Sequence, residues 1–313
     1  MVEKVTAAVL VAPGRYELQE FDRPVLPDGA MLMRMEMSGI CGTDKHTYQG
    51  ETKQYAGTPA ETDTPFPIIQ GHENVGIVSE ITPSAASSLE FYGQRLAVGD
   101  RIVMCPDVVC GRCYECTHVM GYVWCENSEC YGNSYTSAAW PHLMGGWAQE
   151  MYIRPDTFVY KVPSNLSPRV AVLAELMACA ASLDKLKEFS SMAYEGFNSG
   201  DTVVVIGSGP LGLLHVAKAD IMGAGQIIAT DLSESRLSFA KRMGADLTLN
   251  AATTTREDRI EAVMQATRGR GADVVLHMAN GTASFVEGIE MLKRGGMMLE
   301  MGVFADVGDV SIN

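Results

Sequence analysis

Residues 202–231 constrain the fold more than any other stretch. Thr202-Val-Val-Val-Ile206 is a short, fully apolar strand that runs straight into Gly207-Ser-Gly209-Pro210-Leu211-Gly212 and then into a helical pattern over Leu213–Met222. A bare G-x-G-x-x-G carries little weight, because glycines are common. It gains specificity from a strand before it, a helix after it and an acid closing the next strand. Gln226-Ile-Ile-Ala-Thr-Asp231 supplies that strand and acid, with Asp231 19 residues beyond Gly212. Gly207 permits the tight turn, Gly209 lets the backbone approach a pyrophosphate, and Gly212 allows close helix–sheet packing. Pro210 and Leu211 complete the loop at the helix start, whose N–H groups and dipole favour phosphate. Asp231 would bond both ribose hydroxyls and repel a 2′-phosphate, which predicts NAD over NADP. Arg236, five residues on, either swings toward the ribose, which keeps NADP open, or faces solvent.

Three more strands are expected at Asp246–Asn250, Asp273–Met278 and Gly296–Val303, making five where such a fold usually has six. An apolar helix is expected over Ala171–Leu186. The alternation of strands and helices beyond Pro168 is that of βαβ units around a parallel sheet. The first half reads differently. Met31, Met33, Met35 and Met37 alternate with Leu32, Arg34 and Glu36, as in a half-buried strand whose methionines fill a core. Further strands are expected at Val75–Ile81, Arg101–Met104 and Gln149–Ile153, with surface loops at Gly50–Pro67 and Thr82–Gly99. A chain of 313 residues has room for two such domains. Its net charge of -14, with no Lys/Arg run, disfavours nucleic acid and anionic membranes as partners. No apolar stretch approaches the ~20 residues of a membrane span. Val5–Ala12 reads as a first strand and not a signal peptide, so a cytoplasmic location is the default expectation.

Six of the 8 cysteines lie between Cys105 and Cys130. Cys110, Cys113 and Cys116 form C-x-x-C-x-x-C, and Cys125 follows. Turns of this length point successive thiolates at one centre, as tetrahedral zinc requires. An iron–sulfur cluster is the rival, but its run needs a cysteine where Met120 stands and a proline where Glu126 follows Cys125. The fourth zinc ligand is expected to be Cys125, with Cys130 and Cys105 as alternatives or as plain buried thiols.

Two boxes precede the cysteine lobe: Gly39-Ile-Cys41-Gly-Thr43-Asp44-Lys-His46 and Gly71-His72-Glu73. With the lobe, Gly145-Gly-Trp-Ala148, Ala174-Glu175 and the nucleotide fingerprint, they resemble the zinc-dependent medium-chain dehydrogenases, the superfamily of alcohol, sorbitol and threonine dehydrogenases. The resemblance runs in order over essentially the whole chain. It implies an α/β protein: a β-rich GroES-like zinc catalytic domain over 1–177, with a structural-zinc lobe at about 105–130, and a Rossmann-type NAD-binding domain over 178–313. Cys41 and His72 then look like ligands of a catalytic zinc, completed by Glu175 in some branches and by Glu73 in others. Asp44 resembles the carboxylate that orients the ligating histidine. Thr43 resembles the relay hydroxyl, and His46 the terminal base, whose ordinary pKa of ~6.5 suits proton transfer near neutrality.

The activity implied is hydride transfer between a primary, secondary or polyol alcohol and NAD, giving an aldehyde or ketone, with two zinc ions per chain. A small-molecule alcohol or carbonyl substrate and a homo-oligomer, dimer or tetramer, are implied with it. Tyr48, Tyr131, Trp140 and Trp147 are candidates to line the pocket. There are departures. The loop between Cys41 and Gly71 is long, the lobe has one residue more than the commonest spacing between its third and fourth cysteines, and Met177 stands where relatives often carry proline or glycine. Relatives also continue past Val310-Ser-Ile-Asn313 into a sixth strand and a return segment, so the nucleotide domain reads as truncated. That shortness favours an alternative, a catalytically inactive NAD-binding sensor or partner subunit derived from such an enzyme. The intact Cys41, Thr43, His46, His72 and Glu175 set opposes it.

Overall fold

Val5, Ala7 and Val9 turn to the interior along β1 (Lys4–Ala12), and Pro13-Gly14 reverses the chain into β2 (Arg15–Asp22). Gly14 takes φ +73° at this reversal, where a side chain would be strained. The computed structural model describes residues 3–54, 61–119, 124–188, 196–302 and 310–312. They form two compact units, Met1–Glu175 and Leu176–Asn313.

In the first unit the chain continues through β3 (Met31–Ser38), β4 (Ile68–Ile69), β5 (Asn74–Ile81), β6 (Arg101–Met104), β7 (Glu150–Ile153) and β8 (Val159–Lys161). One antiparallel sheet has the order β2-β1-β4, and a second β7-β3-β5-β6-β8. Their core gathers Val5, Val9, Met31, Leu32, Met33 and Met151. The methionine row departs from simple alternation. Register shifts at Leu32/Met33 and Met35/Met37 put Leu32 inside with Met31 and Met33, while Met37 is 38% exposed. A bulge inserts a residue on one strand and so breaks the period of two. After β3 in the chain comes α1 (Gly42–Gln49), which carries most of the first candidate box.

The second unit holds the five expected parallel strands: β9 (Thr202–Ile206), β10 (Gln226–Asp231), β11 (Leu247–Asn250), β12 (Ala272–His277) and β13 (Leu292–Glu300). Their order is β11-β10-β9-β12-β13, so the winding reverses between β9 and β12. Residues along β9 alternate between two cores. Val203 and Val205 pack with Val216 and Ala219 of one helix, while Val204 and Ile206 pack with Val263 and Met291 from others. A sheet buried on both faces by crossover helices explains the unbroken apolar run. β13 begins at Leu292, earlier than the expected Gly296; Val303 lies outside the described residues. The helix expected over Ala171–Leu186 is broken instead into Pro168–Ala171, α2 (Ala174–Ala180), a 3₁₀ segment Ala181–Asp184 and Lys185–Glu188. Leu176, Ala180 and Leu183 are buried at α-helical spacing, and Leu186 follows Leu183 by three residues across the end of the 3₁₀ segment. Among the described residues, no helix is long and apolar enough to cross a membrane.

Candidate active site

Cys41 caps the start of α1: its N–H donates to Asp44 Oδ2 at 2.8 Å, which ties the box into one turn. His72 and Glu73 sit between β4 and β5, each 7% exposed, after Gly71 with φ +96°. One donor atom each from Cys41, His72 and Glu73 lie within 4.8 Å of one another. Glu175, at the start of α2, is outside that group, although its charge acts on both His72 and Glu73. Thr43 Oγ1 is 3.8 Å from Cys41 Sγ, and His46 Nδ1 contacts Glu51 Oε2.

The charges of this group fit a dication. Burial pushes Glu73 up to about 7 and raises Asp44 as well. Burial acts against a charged His72, but its contact with Cys41 and the Asp44 carboxylate outweigh this and lift it to about 9. No lysine or arginine contributes to any of these shifts. His72 Nδ1 and Asp44 Oδ1 face each other at 3.9 Å, both buried and without a hydrogen-bond partner among the described residues. A thiolate, an imidazole and a carboxylate converging at one point form a donor set suited to zinc with a further position open.

The cysteine lobe is a second, separate group. Cys110, Cys113, Cys116 and Cys125 bring their sulfurs within 4.8 Å of one another. Cys113 Sγ is 3.5 Å from Cys116 Sγ and 3.9 Å from Cys125 Sγ. A tetrahedral ion with Zn–S bonds of about 2.3 Å requires sulfur–sulfur edges of about 3.8 Å. Backbone N–H groups of Arg112 and Cys113 aim at Cys110 and lower it to about 6, which favours the thiolate form that binds metal. Cys130 is elsewhere: its thiol is buried, takes the Asn133 amide at 3.4 Å and is raised well above the ordinary thiol range by that burial. Cys105 is likewise pushed up to about 11 by burial.

In the second unit the glycine loop joins β9 to α3 (Pro210–Ile221). Gly207 has φ +90°, and a Cβ on Gly212 would lie 1.9 Å from Gly207 O. A Cβ on Gly209 would meet nothing within 4 Å, so the loop is open on the side where a phosphate would approach the helix start. Asp231 is not a solvated strand-end acid. It is 8% exposed, its Oδ2 accepts from Ser208 N and its Oδ1 from Ser233 N, both at 2.8 Å. Arg236 reaches toward it, with Nη1 3.6 Å from Asp231 Oδ2. Pro210 and Leu211 form the first turn of α3.

Two residues of the quoted boxes that were given no role at the metal-type group shape its surroundings. A Cβ on Gly39 would lie 1.8 Å from Glu73 Oε2, so this glycine makes the space that the carboxylate occupies. Trp147 Nε1 donates to Gly39 O at 3.2 Å, and its ring covers Gly71. The glycine-tryptophan box at 145–148 was the available signal. Of the aromatic candidates, Tyr131 belongs to the core: it is fully buried, with its hydroxyl on Thr157 at 2.9 Å. Trp147 packs partly buried against the same core, while Tyr48 and Trp140 are exposed.

Comparison with known proteins extends over both units. Residues 27–164 match the alcohol dehydrogenase GroES-like domain, and residues 210–313 the zinc-binding dehydrogenase domain. Erythritol/L-threitol dehydrogenase of Mycolicibacterium smegmatis is 33% identical over 99% of this chain and 79% of its own length. L-threonine 3-dehydrogenase of Pyrococcus furiosus is 31% identical over 100% of this chain and 79% of its own. Among solved structures, an alcohol dehydrogenase from Thermotoga maritima superposes with a TM-score of 0.81 at 33% identity, covering 95% of this chain and 76% of the other. A candidate zinc-binding dehydrogenase from Sinorhizobium meliloti, solved with NADP, gives a TM-score of 0.81 at 26% identity, covering 99% and 80%.

Proposed function

The chain belongs to the zinc-binding dehydrogenase family with a GroES-like domain, and from that premise we propose that it moves a hydride between an alcohol and NAD. The convergence of Cys41, His72 and Glu73 beside Asp44 carries the proposal. When bound there, zinc supplies a Lewis acid for an alcohol or carbonyl oxygen, and the nicotinamide supplies the hydride acceptor. Cys41, His72 and Glu73 would hold the metal, and Glu175 adds negative charge from outside the set. Asp44 orients the His72 ring, which fixes the nitrogen that faces the metal. Thr43 takes the alcohol proton on Oγ1, and His46 receives it at the end of the relay, its ring held by Glu51. Asp231 accepts from the adenosine ribose while the open loop at Gly209 and the start of α3 hold the phosphates.

The names of the relatives, erythritol, threitol and threonine, favour a short, polar substrate with a secondary hydroxyl. A panel of primary, secondary and polyol alcohols with NAD, read as NADH absorbance, tests this. Turnover of a polyol is expected; a chain that binds NADH and two zinc ions yet turns over no alcohol supports an inactive relative instead. Asp231→Gly is expected to raise NADP affinity relative to NAD by about tenfold or more, because the carboxylate that repels a 2′-phosphate is gone. Unchanged preference would remove Asp231 from the ribose site.

A further inference from the structure

Open parallel sheets take ligands at the carboxyl ends of their strands, where the winding reverses. Here that point lies between β9 and β12. The glycine loop and Asp231 occupy one side of it. The other side, at the ends of β12 and β13, carries a polar cluster that the reading above leaves unused. His277 closes β12, is fully buried, and stands in register with Ile206 on β9 and Glu300 on β13. Its Nδ1 lies 2.6 Å from Glu300 Oε2, and its Nε2 2.8 Å from Ser284 Oγ. Ser284 Oγ also lies 2.9 Å from Gly281 O, so it bridges the ring and that carbonyl. A bare ring lone pair this close to a carboxylate would repel it, so a proton lies between Nδ1 and Glu300. Glu300 Oε1 accepts from Gly302 N.

The carboxylate is therefore gripped from two sides, yet the Glu300 side chain stays 30% exposed. The backbone beneath it is closed: a Cβ on Gly207 would lie 2.9 Å from the Met278 carbonyl, and one on Gly302 2.2 Å from Ala279 O. Three strand ends thus form one floor with Glu300 as an oriented acceptor. A pair with one partner this exposed to water is weak as a device for stability. Its position at the reversal of the sheet gives it another use. A dinucleotide with its pyrophosphate on the start of α3 and its adenosine ribose on Asp231 has to send its other half away from β10, over β12 and β13.

We propose that Glu300, oriented by His277 and Gly302, recognises the nicotinamide-ribose half of the dinucleotide by accepting from its hydroxyl or carboxamide donors. This rests on the dinucleotide reading given above. Calorimetric titration of the zinc-loaded full chain with NADH and with ADP tests it, because ADP carries only the adenosine half. Glu300→Ala is expected to weaken NADH about tenfold, the usual worth of a hydrogen bond to a charged group, and to leave ADP unchanged. His277→Gln, a change in a positioning residue, should weaken NADH by about threefold, again without touching ADP. Glu300→Gln keeps an acceptor for Gly302 and so decides the matter if the alanine variant does not fold; it should also weaken NADH selectively. Equal losses for both ligands, or none for NADH, would overturn the proposal. Wild-type chain that binds neither ligand would overturn the dinucleotide reading itself, whereas wild-type binding of both with unaffected variants removes only Glu300.

Discussion

The two metal-type groups are built on opposite plans. The lobe collects four identical donors from residues 110–125, most of them part-exposed, the number that a tetrahedral ion takes. The Cys41 group takes three different donors from two separate segments, two of them buried, and has no fourth among the described residues. A soft, closed set of thiolates binds zinc to hold a loop; a mixed, incomplete set leaves a position at which chemistry can occur. The contrast also has an electrostatic side. Backbone N–H groups pull Cys110 down to about 6, whereas burial pushes Glu73 up to about 7 and neighbouring acids and the thiol hold His72 near about 9. Local backbone favours the thiolates of the lobe, whereas burial and the charges of its own members set the Cys41 group.

Substitutions should separate the two. Cys41→Ser is expected to lower kcat/KM by about 10³ or more, since the Lewis acid is lost, while ADP binding and thermal stability stay close to wild type. Parallel loss of ADP binding would contradict the division of roles. Cys113→Ser should act through the fold: loss of a structural zinc is expected to lower Tm by roughly 10 °C, with activity falling in step with the folded fraction. A Tm unchanged by calorimetry would mean that the lobe holds no metal. Gly39→Ala places a methyl on the Glu73 carboxylate and should weaken zinc at the Cys41 group by about tenfold, leaving the lobe untouched. Metal retention measured against a chelator reads this directly.

The smallest effect is that of pH on metal-free chain. Glu73 and His72 both have folded pKa values above their ordinary ones, so each contributes stability at low pH that is lost as pH rises. Glu73 gives its share fully below its ordinary 4.5 and loses it through about 7; His72 gives its share below 6.5 and loses it through about 9. Tm of the metal-free chain should therefore decline between pH 5 and pH 9 by a few degrees, and zinc should remove the decline because it binds the deprotonated forms. A Tm that rises over this interval would contradict the electrostatic picture of the site.

How far these regions were legible in the sequence follows the same contrast. The lobe and the glycine fingerprint are local patterns, and their residues come together within a turn or a βαβ unit. Within the lobe, spacing could not separate Cys125 from Cys130; the fold does so by turning Cys130 to Asn133. The Cys41 group needed the tertiary fold. Glu175 and, in other branches, Glu73 were both candidates in sequence, and the missing side chain of Gly39 is what makes room for the Glu73 carboxylate. The methionine row misled in part because bulges that shift its register leave no trace in hydrophobic alternation. His277 and Glu300 were invisible for a similar reason: only the parallel pairing of β12 and β13 makes them neighbours.

The central claim is that this chain holds two zinc ions in independent centres, one for chemistry and one for the fold. Elemental analysis of zinc per chain in wild type, Cys41→Ser and Cys113→Ser tests it most directly. The account predicts about two, one and one, with the single ion of the Cys41→Ser variant resistant to a chelator that strips the Cys41 centre of wild type. One zinc in the wild type, or a Cys41→Ser variant that still retains two, would contradict it.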